Sequence, residues 1–229
     1  MAIVLDLKFN GVDGSTSVVD DSASAHSSVV EGNAQLDNAQ KAEGDSSIVF
    51  DGSGDNIYFT DSADWEVSTN DFEISGWFRS SAIGSLQRIL DLHETGGQNT
   101  LLIGIDASGK LIASGEQGGT SWFTSIVGST TISANTWYHF KLKRVGTTVT
   151  LLLSNSGAAY TNEGTATTSG NPTGNFRLYI GCAVGGIGWT VRSDYFSGWL
   201  DTFVFNNGST TVDTPPVLVG GGGNFFLMF

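Results

Sequence analysis

Apolar and polar residues alternate with a period of two along most of the chain. The alternation marks the opening IVLDLKF, then SIVFDG and NIYFTD on either side of a glycine-rich turn, then FEISGWFRS, RILDLHE, TLLIGID and KLIASGE. WYHFKLKRV and TVTLLLSN read as the two arms of a hairpin turned by GTT, and FRLYIGCAV and YFSGWLDTFVFNN complete the set. Side chains alternate between the faces of a strand, so Trp77 and Phe78 point to opposite faces of theirs. Likewise Phe140 and Leu142 share one face, expected to be core, while His139, Lys141 and Lys143 share the other, facing solvent or a partner. No window of ten or more residues holds a helical period of 3.6. Short strands at this spacing predict an all-β fold, a two-sheet antiparallel sandwich of the jelly-roll type.

Two stretches break the pattern. Residues 12–47, rich in Ser, Asp, Asn and Ala, read as a long surface excursion after the first strand. Residues 207–224, NGSTTVDTPPVLVGGGGN, read as a linker that Pro215 and Pro216 stiffen and four glycines loosen. The domain is therefore expected over 1–206, with 207–229 forming a linker and an extended C-terminal tail. That tail ends on Phe225, Phe226, Leu227, Met228 and Phe229. Such an end cannot span a bilayer, and left free in water it would aggregate. A self-packed end would continue straight from the last strand, without a Pro-Pro spacer and a glycine hinge. The tail is thus expected to dock in a neighbouring subunit or another protein of a larger particle, and the protein to be an oligomer.

Composition narrows the partners. A chain of 229 residues that is 39% hydrophobic and 11% aromatic can build a substantial core. The 23 acidic against 10 basic residues, a net charge of -13, repel the phosphates of nucleic acid and of anionic membranes. They tolerate divalent cations. Cys182 is the single cysteine, which excludes an intrachain disulfide and a thiolate zinc site. Asp6 and Lys8 interrupt the short apolar run at the N-terminus, which is unlike a signal peptide. No apolar stretch reaches the ~20 residues of a membrane-spanning helix. A virion protein released by lysis is the expectation, with a cytoplasmic protein, or an extracellular one without a recognisable signal peptide, as the alternatives.

Four segments in series carry a resemblance. SSIVFDGSGDNIYF, FEISGWFRS, NTWYHFKLKRVGTTVTLLLSNSG and FRLYIGC followed by YFSGWLDTFVFNNG resemble, in order, motifs of the concanavalin A-like lectin/glucanase superfamily in its laminin-G-like branch. The likeness spans about residues 3–206. SNSG departs from that branch's Asn/Asp-Gly turn, and the tail has no counterpart there. The resemblance implies one concave and one convex sheet, a calcium ion in many members, and sugar binding as the default activity. Asp51 in FDG and Asp201 in GWLDTF match the acidic positions of the calcium site, and Asp20 or Asp21 could join them from the first long loop. Asp51 could equally serve only to hold its own turn. For sugar, Trp122 in GGTSWFTS and Trp189 in GGIGWTVRSDYF sit in glycine-rich contexts, with Arg192 and Asp194 beside the second. Loop tryptophans of this kind either stack on a ligand or pack on the sandwich.

Catalysis finds little support in the residues. Glucanase relatives carry a Glu-x-Asp-x-Glu strand that places carboxylates on one face. The nearest segment, RILDLHE, offers Asp91 and His93 on one face. There is no Gly-x-Ser-x-Gly elbow, and His26, His93 and His139 lack metal-ligand spacing. The expected function is a non-enzymatic structural or adhesion module, a phage virion component that binds host-surface glycans. A carbohydrate-binding module of a non-viral system is the alternative, with a glycoside hydrolase or polysaccharide lyase third.

Overall fold

The alternating segments become strands because each has one apolar face to bury. The computed structural model describes residues 2–94, 96, 99–185 and 191–219; Trp189 and the tail residues Phe225 to Phe229 lie outside them. The strands are β1 (Ala2–Leu7), β2 (Ser28–Glu31), β3 (Gln35–Asp37), β4 (Ser47–Asp51), β5 (Asn56–Phe59), β6 (Phe72–Ser80), β7 (Gln87–Glu94), β8 (Thr100–Ile105) and β9 (Lys110–Gln117), then β10 (Thr120–Thr131), β11 (Tyr138–Val145), β12 (Thr148–Asn155), β13 (Thr161–Thr167), β14 (Phe176–Ile180), β15 (Ala183–Gly185), β16 (Val191–Ser193) and β17 (Ser197–Asn207). One sheet runs β13-β12-β11-β6-β17-β4-β3, with β1 beside the second half of β17. The other runs β10-β9-β8-β7-β14-β5-β2, and β15 with β16 forms a separate hairpin. Pairing within both sheets is antiparallel, as a jelly-roll sandwich requires. The core lies between them: Phe72, Ile74 and Phe78 of β6, Phe140 and Leu142 of β11 and Phe205 of β17 meet Leu90 and Leu92 of β7, Ile103 of β8 and Leu178 of β14.

Residues 12–47 are more than a surface excursion, because they contain β2 and β3. These consecutive strands belong to different sheets and turn the corner between them. Gly32 makes the corner at φ 75°, where an added Cβ would lie 2.2 Å from Asp55 Oδ1. The buried Asp55 carboxylate accepts the N–H groups of Asn33 (2.7 Å) and Asp51 (2.9 Å) and so pins the corner.

A bulge shapes the outer face of the first sheet. Asp201 stands opposite Trp77 and Val204 opposite Ser75, so Thr202 and Phe203 together face Gly76. Thr202 adopts φ 42°, a left-handed conformation unusual for a β-branched residue. The extra residue sends Phe203 into the core and leaves Asp201 and Thr202 on the outer side.

Residues 208–219 correct the linker expectation: they return across the outer face of their own sheet. Glu73 accepts the Thr211 N–H (2.8 Å) and its hydroxyl (2.8 Å). Lys141 donates to Thr211 Oγ1 (2.9 Å) and to the Val212 carbonyl (3.1 Å), and lies 3.3 Å from Glu73. Lys143 pairs with Asp213. Leu218 joins the Trp77, Trp137 and Ala42 cluster, and Val219 N–H donates to the Ala42 carbonyl (2.9 Å). The alternating His139, Lys141 and Lys143 thus face a partner that belongs to the same chain. Two charged groups, Glu73 and Lys141, are each 3% exposed beneath this strap.

Candidate functional site

Two segments cross the outer face of the first sheet, the 38–46 loop and the 208–219 strap, and a polar pocket remains between them. Its volume is about 190 Å³. The floor is Glu73 and Ser75 of β6, His139 and Lys141 of β11, and Thr202 and Val204 of β17; Glu43, Tyr160, Thr211, Thr214 and Pro216 form the walls. Register alone brings the floor together, since His139 pairs with Trp77, Lys141 with Ser75 and Val204 with Ser75.

Two polar groups of the lining, His139 and Tyr160, face each other. Tyr160 Oη lies 2.6 Å from His139 Nδ1. Burial, reinforced by the nearby Lys141 charge, lowers the His139 pKa to about 3. The ring is therefore neutral at physiological pH. Burial, with the Glu73 and Asp213 carboxylates behind it, raises Tyr160 well above the ordinary phenol range. A protonated phenol facing a neutral imidazole donates to Nδ1, which places the imidazole proton on Nε2. No described residue accepts from Nε2, and the ring is 4% exposed within the pocket lining. Glu43 accepts from Trp77 Nε1 (2.7 Å) and Thr202 Oγ1 (3.3 Å) and has no cationic partner among the described residues.

Asp201 sits behind this wall. Its Oδ2 accepts the N–H groups of Ala42 (2.8 Å) and Glu43 (2.9 Å), which holds the loop against the sheet. Burial nevertheless pushes the carboxyl up from 3.8 to about 7. A carboxyl near neutrality is a common mark of acid–base chemistry. Asp201 is fully buried, however, and meets the pocket only through Thr202, whose hydroxyl lies 3.4 Å from its Oδ1.

The residues singled out from the sequence are dispersed. Trp122 is a correction: it belongs to strand β10, is 1% exposed, and donates to the Thr100 carbonyl (3.1 Å). Gly115 makes room for it, since a Cβ there would lie 2.1 Å from the indole nitrogen. A ring so enclosed offers no face to a sugar. Arg192 lies over the Tyr179 ring at 4.7 Å and 3.4 Å from Glu31. Asp194 lies 3.9 Å from Arg88 and accepts its N–H through the backbone (2.8 Å). Both bind the β15–β16 segment to the second sheet, and their companion Trp189 is outside the described residues.

The calcium set also fails to converge. Asp51 pairs with Ser197 and Asp201 lies four residues further along β17, about 13 Å at strand rise. Asp51 accepts the Ser53 N–H (2.7 Å) in its own turn, and Asp21 lies 3.5 Å from Lys8 near β1. Among the described residues no three His, Cys, Asp or Glu side chains are grouped to hold a metal ion. Cys182 is buried beside Tyr179 and Val184, and burial pushes its thiol up to about 12. Among the described residues no helix is long and apolar enough to cross a membrane.

Comparison with known proteins agrees with this architecture. Domain 4 of AbnA, a GH43 extracellular arabinanase from Geobacillus stearothermophilus, solved in complex with arabinotriose, superposes with TM-score 0.62 at 13% identity, over 92% of this chain and 94% of that one. The binding domain of botulinum neurotoxin serotype G gives TM-score 0.63 at 12% identity over 91% of this chain, which spans about half (48%) of that domain. The LG1-3 region of the laminin α2 chain gives 0.55 at 18% identity, over 75% of this chain and 34% of that one. At these identities the likeness is one of fold. No curated protein matches the sequence. The model of the concanavalin A-like lectin/glucanases superfamily matches residues 51–214, well over half of the sequence, and the chain belongs to that superfamily.

Proposed function

We propose that the protein is a non-enzymatic glycan-binding module, with its ligand in the pocket between the 38–46 loop and the C-terminal strap. The observation that carries this reading is a small pocket lined by hydroxyl, imidazole and carboxyl groups that hydrogen bonds hold in place, with Tyr160 Oη 2.6 Å from His139 Nδ1. His139, with its pKa near 3, and Tyr160, with its pKa raised, neither take up nor release a proton near neutrality. Glu73 is held by Lys141 and Thr211. General acid–base catalysis needs a group poised near the working pH and within reach of substrate. The pocket instead offers donors and acceptors whose positions are set by hydrogen bonds, which suits recognition of sugar hydroxyls. A structural relative points to sugar binding too, because AbnA domain 4 is solved with arabinotriose.

Within that reading the module serves adhesion on a larger particle, a phage virion in the first instance, with residues 225–229 as its attachment. An acidic, nearly cysteine-free chain, with an apolar segment at 225–229 after a glycine run, supports this role. A glycan array probed with the full chain and with Tyr160→Phe tests the binding. Selective binding by the wild type, lost in Tyr160→Phe with an unchanged far-ultraviolet spectrum, is the expected result. A blank array, or equal binding by both proteins, overturns it.

A further inference from the structure

On the outer face of the first sheet the 38–46 loop and the 208–219 strap bound the pocket. The strap passes hard against the β12–β13 turn, where a Cβ on Gly157 would lie 2.9 Å from the Pro216 carbonyl. At the other side Val219 N–H bonds to the Ala42 carbonyl, so loop and strap touch. A polysaccharide running across the sheet would meet the strap on one side and the loop on the other. At about 190 Å³ the space is below the roughly 300–1,000 Å³ that encloses a drug-sized ligand. A space of this size suits a single sugar ring better than a stretch of polysaccharide.

The charges of the wall select among rings. Glu43 is a carboxylate with no cation beside it among the described residues, and Lys141 is already committed to Glu73, Thr211 and Val212. An anionic substituent would meet Glu43 in a partly buried setting, where like charges repel strongly. A hydroxyl would find an acceptor in Glu43 and a donor in the buried His139 Nε2–H. Resting on the glycan-binding reading above, we infer that the pocket caps the neutral terminal sugar of a chain and neither runs along chain interiors nor accepts uronic or sialic acid ends.

The test is a ladder of neutral arabinan- and galactan-derived oligosaccharides, with matching members whose terminal sugar is a uronic acid, titrated into the full chain. Affinity is expected to stop rising after the second unit, and on long polymers the bound protein should count chain ends. Uronic acid ends are expected to bind at least about tenfold more weakly, and Glu43→Gln to narrow that gap. Affinity that climbs with every added unit, or several molecules bound along one chain, would overturn the inference while leaving glycan binding standing. Equal affinity for acidic ends would do the same. Binding to no member of either ladder overturns both.

Discussion

Replacing Asp201 by asparagine isolates one buried carboxyl. In the folded protein its pKa is raised from 3.8 to about 7, chiefly by burial. Between those values the folded state keeps a proton that the unfolded state has lost. The carboxyl's contribution to stability is therefore fully present below about pH 4 and is lost as pH rises to about 7. Each unit is worth about 1.4 kcal/mol, so the whole window amounts to about 4 kcal/mol. The substituted amide does not titrate, and its oxygen can still accept the Ala42 and Glu43 N–H groups. Urea denaturation of both proteins from pH 4.5 to 8 measures the difference, in which the remaining carboxylates cancel. Asp201→Asn should match or fall below the wild type at pH 4.5 and exceed it by a few kcal/mol at pH 7.5. Parallel curves would refute the reasoning, because they would mean that the two backbone donors hold Asp201 ionised throughout.

Other consequences concern neighbouring elements. Lys141→Ala leaves Glu73 buried without its cation and should cost about 3–5 kcal/mol in chemical denaturation, most of it recovered in Glu73→Gln/Lys141→Met. Trp122→Ala empties a packed site and should cost about 3–5 kcal/mol with no change in glycan affinity. Gly157→Ala combines a strained φ of 80° with a clash against Pro216, and hydrogen exchange at the Thr211 and Val219 amides should rise while β6 and β11 stay protected. Asp51, Asp201 and Asp21 occupy separate places, so Asp51→Ala should leave any difference between melts in chelator and in calcium unchanged.

The strands were legible because an apolar face toward the core imposes a period of two, which β6 and β11 follow throughout and β17 follows on either side of its bulge at Thr202. The faces of Trp77, Phe78, His139 and Lys141 were read correctly for that reason. Three things were hidden. The notch at Gly115 that swallows Trp122 lies across a strand pair, so a tryptophan among glycines read as a loop residue that could either stack on a ligand or pack on the sandwich. The corner at Gly32 depends on Asp55, whose bonds to Asn33 and Asp51 reach 22 and 4 residues away. The strap has the composition of a linker, yet Thr211 satisfies Glu73 from 138 residues away. One signal was available: lysines at 141 and 143 on a strand in the middle of a sandwich need carboxylate or carbonyl partners. The pocket itself arises from register and from two crossing segments, neither of which local pattern encodes.

The location of the ligand is the central claim, and amide chemical shifts read it directly. Labelled full chain titrated with arabinose, galactose, glucose, mannose and N-acetylglucosamine in turn should show, for at least one of them, saturable shifts at Glu43, Tyr160, Thr202, Thr211 and Thr214. The same titration of Tyr160→Phe should leave those amides in place. Shifts confined to Arg192, Asp194 and their neighbours, or to no residues at all, would contradict the account.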